Sequence, residues 1–485
     1  MTSLLYLGHA GFTLRGRTRL MMDPWLSQDG AFLRSWFQYP NNANMVYAAR
    51  SLTGDDMLYI SHHHEDHFDR ATLYHVDKNV CIVIPKFKRR GFRRDVDSFG
   101  FRNIVELEFG ESIIRGGFKA TLFTDDQYTN EDSGILVECE DGGRFLNMND
   151  CRAYDRLEPE HVRDIDVLAM QFSGATYYPS CFSYDQAECD RHAAAKNQRK
   201  FRTVAGVIER INPKAYIPSA GPAQFLDPAL DHFNYGNPTP FPRWSAFMKD
   251  CRQEVRAKFV VMGPGDMMAD ITGPHKVGTM VPQIDEPLLP PPPYGRDGDA
   301  FAEFWAAWKQ KAEASPVVRT KVPLVVTLAY DDSERSFLVD FWTGLVTEII
   351  ELPPERYHYI FENRVMVEFF ETGELWENLT LSLRMEVHRS PDVFDEFISD
   401  MVRLEVKDIQ NYPIAAESQR ITRVANGKAY EIDRYCPHNK GDLLGAEIEG
   451  DEIICPRHGW RFNLADGGAC KTSECSINSK RVPRI

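Results

Sequence analysis

Residues 61–69 read SHHHEDHFD and follow the apolar run MLYI at 57–60. His62, His64, Asp66 and His67 form the pattern His-x-His-x-Asp-His. Alternate histidines leaving a strand point the same way, and the adjacent Asp-His pair turns back toward a second position. Four ionisable side chains this close are costly to hold together unless they bind something, so the stretch reads as a metal site rather than a solvated loop.

Working outward, residues 1 to about 285 alternate short strand-like runs with turns: LLYLGHAGFTL, RLMMDPW, NVCIVIPK, GFKATLF, GILVECE, RFLNMND, DVLAMQFSG and AYIPSAG. Asp185 to Asn212 carries a helical pattern. Such a mixture predicts a layered α+β domain over 1–285. DEPLLPPPPYGRDG then places four consecutive prolines at 290–293, giving a linker over 286–299. A smaller α/β domain is expected over 300–412, with helices at FAEFWAAWKQKAEA and at RSPDVFDEFISDMVRLEV. In the second of these Ser390 stands before Pro391 as the cap, and LTLSLRMEV (379–387) is a strand candidate. The last segment, 413–485, is strand and turn with four of the ten cysteines.

In that segment Cys436-Pro437-His438 and Cys455-Pro456-Arg457-His458 are separated by 16 residues. Two thiolates and two imidazoles then sit at the tips of two loops, so the cysteines can hold one iron and the histidines another. That is the ligand set of a Rieske [2Fe–2S] centre. A zinc knuckle is the competing reading of the same four residues, but CPRHGW at 455–460 is not its pattern. The two motifs resemble the Rieske domains of oxygenase systems. In the respiratory type each loop adds a disulfide cysteine, and the corresponding places here are Gly441 and Arg457. Cys470 and Cys475 read as ordinary thiols.

Composition limits the partners. Acidic residues number 71 against 56 basic, a net charge of −15, which disfavours nucleic acid. No run approaches the roughly 20 apolar residues of a membrane span. The first residues, MTSLLYLGHAGFTLRGRT, lack a basic region ahead of the apolar run, so a cytoplasmic location is expected. One basic run, Lys86 to Arg94, carries six cations in nine residues. It could hold an anionic substrate, dock an acidic electron donor, or form a solvated face.

The His-x-His-x-Asp-His motif, with Gly8-His9-Ala10-Gly11, Asp23-Pro24-Trp25, Asn149-Asp150 and Asp166, resembles the lactonase-like branch of the metallo-β-lactamase superfamily over about residues 3–265. That resemblance implies an αββα sandwich. It also implies that Asp150 bridges two metals or sits beside one, and that Asp23 orients a ligand. His9 is either a pocket histidine or a structural one. Two departures stand out. Hydrolytic members supply a third histidine between the motif and Asp150, yet 68–149 hold only His75, too early in the chain. A carboxylate at Asp126 or Asp125 is expected in its place. Their last histidine follows an Ile-Pro stretch, where Ala220 stands here, with His232 nearby as a substitute. Fewer imidazoles and more carboxylates lean from zinc toward non-haem iron or manganese.

The pairing of the two modules is similar to the CMP-N-acetylneuraminate hydroxylase family, with the Rieske motif at the C-terminus instead of leading the chain as in the animal enzymes. Residues 300–412 resemble small lipid-carrier-like α/β domains; they could shape a pocket, pack the other domains, or build a dimer contact. The expected function is a Rieske-assisted monooxygenase with one or two non-haem irons, acting with O₂ on a small substrate, an anionic one if the basic run holds it. Electrons would come from an external ferredoxin, cytochrome or NAD(P)H reductase. His62, His64, Asp66, His67 and Asp150 would form the catalytic centre, with Asp126 and His232 as further ligands; Cys436, His438, Cys455 and His458 would hold the cluster. The alternative is a metallo-β-lactamase-type hydrolase with an accessory cluster.

Overall fold

The computed structural model describes the chain except residues 128–129, 175, 236–237, 287, 414–418, 439, 471–474 and 483–485, and except the side chains of 126, 127 and 130. It divides into two compact units, 1–175 with 194–291, and 176–193 with 292–485.

The first unit is built on two mixed sheets. One has eight strands, in the order Val277–Thr279, Asp266–Met268, Ser3–Gly8, Gly11–Arg15, Arg19–Met22, Met57–Tyr59, Cys81–Pro85 and Asn103–Leu107. Its pairings turn from antiparallel to parallel at Arg19–Met22. The other has seven, running from Lys258–Phe259 through Ala215–Ser219, Val167–Gln171, Arg144–Asn149, Asn130–Cys139 and Phe118–Gln127 to Ser112–Arg115. Strand periodicity decides how they stack. Leu4, Phe12, Leu20, Met57 and Val83 of one sheet meet Phe118, Leu122, Val137, Val167 and Ile217 of the other in a shared core. The alternate residues face outward. Leu5, Met21, Leu58 and Ile82 bury Leu73, Phe92 and Val96 from the helical stretches Arg70–Tyr74 and Gly91–Ser98. Leu146, Leu168 and Tyr216 bury Phe201, Val204 and Ile208 of helix Gln186–Ile211 and Phe247 of Trp244–Cys251. The expected αββα sandwich is therefore present. It is a metallo-β-lactamase-like architecture.

The second unit contains a five-stranded sheet, Leu345–Ile349, Glu334–Asp340, Leu324–Ala329, Arg356–Glu362 and Glu386–Ser390. Residues 176–193 belong to this unit: Val387 N–H donates to Cys181 O at 2.7 Å and Ser183 N–H to Val387 O at 3.0 Å. Two local expectations need correction. The stretch expected as a strand over 379–387 is split between helix Trp376–Leu381 and strand Glu386–Ser390, because Leu379 and Trp376 are buried on a helical face. The helix expected to start at Ser390 starts at Glu396, and Asp395 is its cap, accepting from Ile398 N–H. The chain ends in a three-stranded and a four-stranded sheet around a small core of Tyr430, Ile432, Ile453, Phe462 and Ile477. Among the described residues no helix is long and apolar enough to cross a membrane.

One buried cation fastens this unit. Lys311 is wholly buried, and its ammonium donates to the carbonyls of Met401 at 3.0 Å, Val402 at 2.9 Å and Leu404 at 2.5 Å. These lie at the end of helix Glu396–Arg403, where carbonyls lack intrahelical partners. Lys311→Met leaves all three without a donor. It is expected to cost roughly 2–4 kcal/mol and to lower the melting temperature of this unit by several degrees in calorimetry. A variant melting within about 1 °C of the parent would show that the contact adds nothing.

Candidate functional site

The sandwich gathers its ligand-bearing residues where strands of both sheets end. His62 follows Met57–Tyr59, Asp23 follows Arg19–Met22, His9 follows Ser3–Gly8, Asp150 follows Arg144–Asn149 and Ala220 follows Ala215–Ser219. A tight turn folds the motif back: His67 N–H and Phe68 N–H both donate to His64 O, at 3.0 and 2.7 Å. Asp69 then caps the next helix while also accepting from Leu26 and Ser27 N–H.

The rings of His62 and His64 lie 4.6 Å apart, and those of His62 and His67 4.2 Å. His63 diverges, as the alternation requires, to Asp95 at 2.7 Å. His67 is fully buried. Its Nδ1 donates to Asp23 Oδ2 at 3.0 Å, and Asp23 is itself fixed by Ser61 N–H and Oγ. The ring's Nε2 faces Asp66 at 3.7 Å and Asp150 at 3.8 Å and has no hydrogen-bond partner. Burial opposes charge on His67, but Asp66, Asp23 and Asp150 outweigh it and push the group up to about 10. Asp66 is held below the usual carboxylate range despite burial, by His67 and by His9 at 2.9 Å. An imidazole nitrogen aimed at carboxylates in a dry site calls for a cation between them.

Two overlapping sets of donors meet this demand. His62, His67 and Asp150 each place one ligand atom within 4.8 Å of the others, and so do His9, Asp66 and His67. His64 lies against His62, Nδ1 to Nε2 at 2.9 Å. His9, left open between two roles by the sequence, is buried within the cluster. Asp132 is an addition that sequence reasoning missed. It is buried, 3.3 Å from His62 Nδ1, and burial followed by Asp150 raises it well above the ordinary range. Its only sequence signal was its place across the hairpin from Asp125, its register partner. The side chain of Asp126 lies outside the described residues. His232 is not brought to the cluster. It is exposed on the turn Asp231–Asn234, its ring 4.0 Å from that of Phe233. At Ala220 the backbone takes part instead, its N–H donating to His9 O at 3.0 Å.

The basic run at 86–94 is largely neutralised. Lys86 pairs with Glu108, Arg90 and Arg93 with Glu106, and Arg89 with Glu131 beside Asp132.

The second site lies in the C-terminal sheets. Cys436 and Cys455 are fully buried, and His458 Nε2 stands 3.6 and 3.5 Å from their sulfurs. The same Nε2 donates to His438 O at 2.7 Å, so the lone pair rests on His458 Nδ1, which is buried without a hydrogen-bond partner. His438 stacks on Trp460, ring centroids 4.3 Å apart and 10° from parallel, and lies 4.4 Å from the His458 ring. Burial raises the Cys436 thiol; Cys455 is drawn below the usual range, against burial, by hydrogen bonds from Cys436 and His458. A Cβ on Gly441 would sit 2.5 Å from Cys455 Sγ, so the loop leaves that space to the sulfur and what it binds.

Residues 399–483 match the family model of the Rieske [2Fe-2S] domain. The C-terminal module is a Rieske domain. Its thiolates and its open imidazole nitrogen suit iron and sulfide. A Mycolicibacterium smegmatis protein, named provisionally as a Rieske 2Fe-2S iron-sulfur protein, is 28% identical over 517 residues, covering 96% of this chain and 97% of its own. A zebrafish (Danio rerio) cytidine monophosphate-N-acetylneuraminic acid hydroxylase is 29% identical over 232 residues, 45% of this chain and 38% of its own. Among solved structures, CmlA, a diiron β-hydroxylase from Streptomyces venezuelae, aligns at 17% identity over 54% of this chain and 53% of its own, with a TM-score of 0.38.

The Rieske domain and the histidine–carboxylate cluster lie in separate compact units and share no ligand, so each should survive loss of the other. Cys455→Ala or His438→Ala is expected to abolish the Rieske EPR signal and leave the first unit's metal bound. Asp23→Asn should do the reverse. Its amide can donate to His67 Nδ1 and so misplace the lone pair, weakening metal binding about 10–100-fold with the Rieske signal intact. Metal analysis alongside EPR checks both; simultaneous loss of all metal in either variant would contradict the separation.

Proposed function

We propose that this chain is a Rieske-assisted non-haem iron monooxygenase, a hydroxylase or N-oxygenase of a small substrate. The observation that carries the reading is the set His62, His67 and Asp150 in a chain that also holds a Rieske domain. Two imidazoles and one carboxylate are a ligand type of oxygen-activating iron; some zinc hydrolases share it, and the Rieske domain in the same chain favours iron. When bound, iron at the first site would supply oxygen activation and the Rieske cluster single electrons. Zinc has no redox chemistry, so a hydrolytic centre would give an electron-transfer domain nothing to do. The partial likeness to a hydroxylase supports the same reading.

The protein's residues have definable tasks. Asp23 keeps a proton on His67 Nδ1, so that Nε2 serves as a ligand. Asp66, held anionic, offsets cationic charge at the centre. Asp132, raised by burial and by Asp150, stands 3.3 Å from His62 Nδ1 and orients that ring. The carbonyl of His438 orients His458. The balanced reaction inserts one oxygen atom into a C–H or N–H bond of the substrate. The other leaves as water, with two electrons and two protons taken up. A ferredoxin, cytochrome or NAD(P)H reductase provides the electrons.

Turnover is therefore expected to require O₂ and an external reductant, and the product should carry one ¹⁸O atom when made under ¹⁸O₂. Label entering only from H₂¹⁸O, with undiminished activity under argon and without reductant, would replace this reading with a hydrolase.

A further inference from the structure

In the first unit the run at 86–94 is mostly paired with acids, but two cations near the metal cluster are not. Arg152 follows Asp150 by two residues, and its guanidinium makes no hydrogen bond or ion pair among the described residues. It is half-buried. Lys200, also half-buried, lies on helix Gln186–Ile211. Among the described residues its ammonium has no carboxylate partner; it donates to Gln171 Oε1 at 3.1 Å. Gln171 is the hinge between these groups and the metal cluster, because its Nε2 donates to Asp150 O at 2.7 Å. Arg152 and Gln171 meet near Gly174. A Cβ there would sit 3.6 Å from Arg152 Nη2 and 3.8 Å from Gln171 Oε1, so Gly174 lies against both groups without a side chain between them.

We propose that Arg152 and Lys200, spaced by Gln171 over Gly174, form an oxyanion subsite beside Asp150 that receives a carboxylate or phosphate group of the substrate. Neighbouring like charges without a carboxylate partner repel each other; burial and then Arg152 lower Lys200 well below the ordinary lysine range, with Asp150 and Asp132 pulling back. An oxyanion would relieve that repulsion and accept charge-assisted bonds from both groups. It would also fix the rest of the molecule relative to Asp150. Identifying the bound group as part of the substrate rests on the monooxygenase reading; the existence of the subsite does not.

The test is calorimetric titration of the full-length protein, both metal sites loaded, with inorganic phosphate and separately with acetate, in the absence of reductant. One oxyanion is expected to bind at one site per chain. Arg152→Gln and Lys200→Met are each expected to weaken it about tenfold or more, with metal content unchanged, while Arg152→Lys retains most of the affinity. Saturation by phosphate assigns the subsite to a phosphoryl group, and saturation by acetate to a carboxylate. Absence of binding below about 10 mM, or binding in both neutralised variants within twofold of the parent, as for an ion sitting on the metal, would overturn the subsite. Because no turnover is involved, a failed ¹⁸O₂ experiment with intact anion binding would remove the monooxygenase reading alone.

Discussion

The imidazole of His67 is buried in a place where only a fixed tautomer and a cation can make it stable. Asp23 settles the tautomer through Nδ1, and the other nitrogen faces two carboxylates. Much of the first unit follows from satisfying that arrangement. Asp23, Asp66, Asp150 and Asp132 come from four separate strands or strand ends, and both sheets must stack in register before they converge. The interior between the sheets is mostly apolar, and the ligand-bearing polar groups gather at one rim. There an ion can enter, and there the chain abandons regular pairing. Positive φ values at His9, Asp23, Asn149 and Ala220 mark this rim. Four non-glycine residues in a sparsely populated backbone region at one locus signal strain kept for a site.

The Rieske domain solves the same problem by a different route. In the first unit a carboxylate determines which imidazole nitrogen is open; in the Rieske domain a backbone carbonyl does so for His458. Both leave a buried nitrogen without a protein partner, a cost that metal binding removes. The environments differ as the metals' tasks differ. The cluster site is walled by Trp460 and by Phe394 from the α/β part of the same unit, whose ring lies 5.3 Å from His438. A low-polarity wall favours a group whose charge changes by one electron with little reorganisation. The first site is carboxylate-rich, which suits a hard metal with open positions.

What the sequence revealed, and what it hid, follows from the range of the interactions. The motif at 62–67 and the two Cys–His loops were legible because their ligands lie within a few residues of one another, so spacing alone carries the geometry. The helix at Phe301–Ala314 was legible for the same reason. Asp132 was not, since its role depends on the hairpin register that sets it opposite Asp125. Nor was the pairing of residues 176–193 with strand Glu386–Ser390, across some 200 residues of chain. The run LTLSLRMEV alternates like a strand, yet tertiary burial of Trp376 and Leu379 on one side makes its first part helical. Charge was the most misleading signal. Six cations in nine residues drew attention to 86–94, but each such group is free only if no acid answers it, and Glu106, Glu108 and Glu131 do.

The same reasoning, run in reverse, explains why Arg152 and Lys200 matter in so acidic a chain. With 15 surplus negative charges, a cation that is half-buried and still lacks a carboxylate partner has been kept from the most abundant kind of partner available. Exposed ion pairs contribute little to stability, so leaving a surface lysine unpaired costs nothing and means nothing. Two cations partly withdrawn from water beside a metal cluster are a different case, since desolvation is then uncompensated. Asp150 and Asp132, the carboxylates beside the metal cluster, act in turn on Lys200. The cations without carboxylate partners and the unpartnered nitrogen of His67 are thus two unsatisfied features of one strand-end rim, and each is stabilised by something bound from outside the chain.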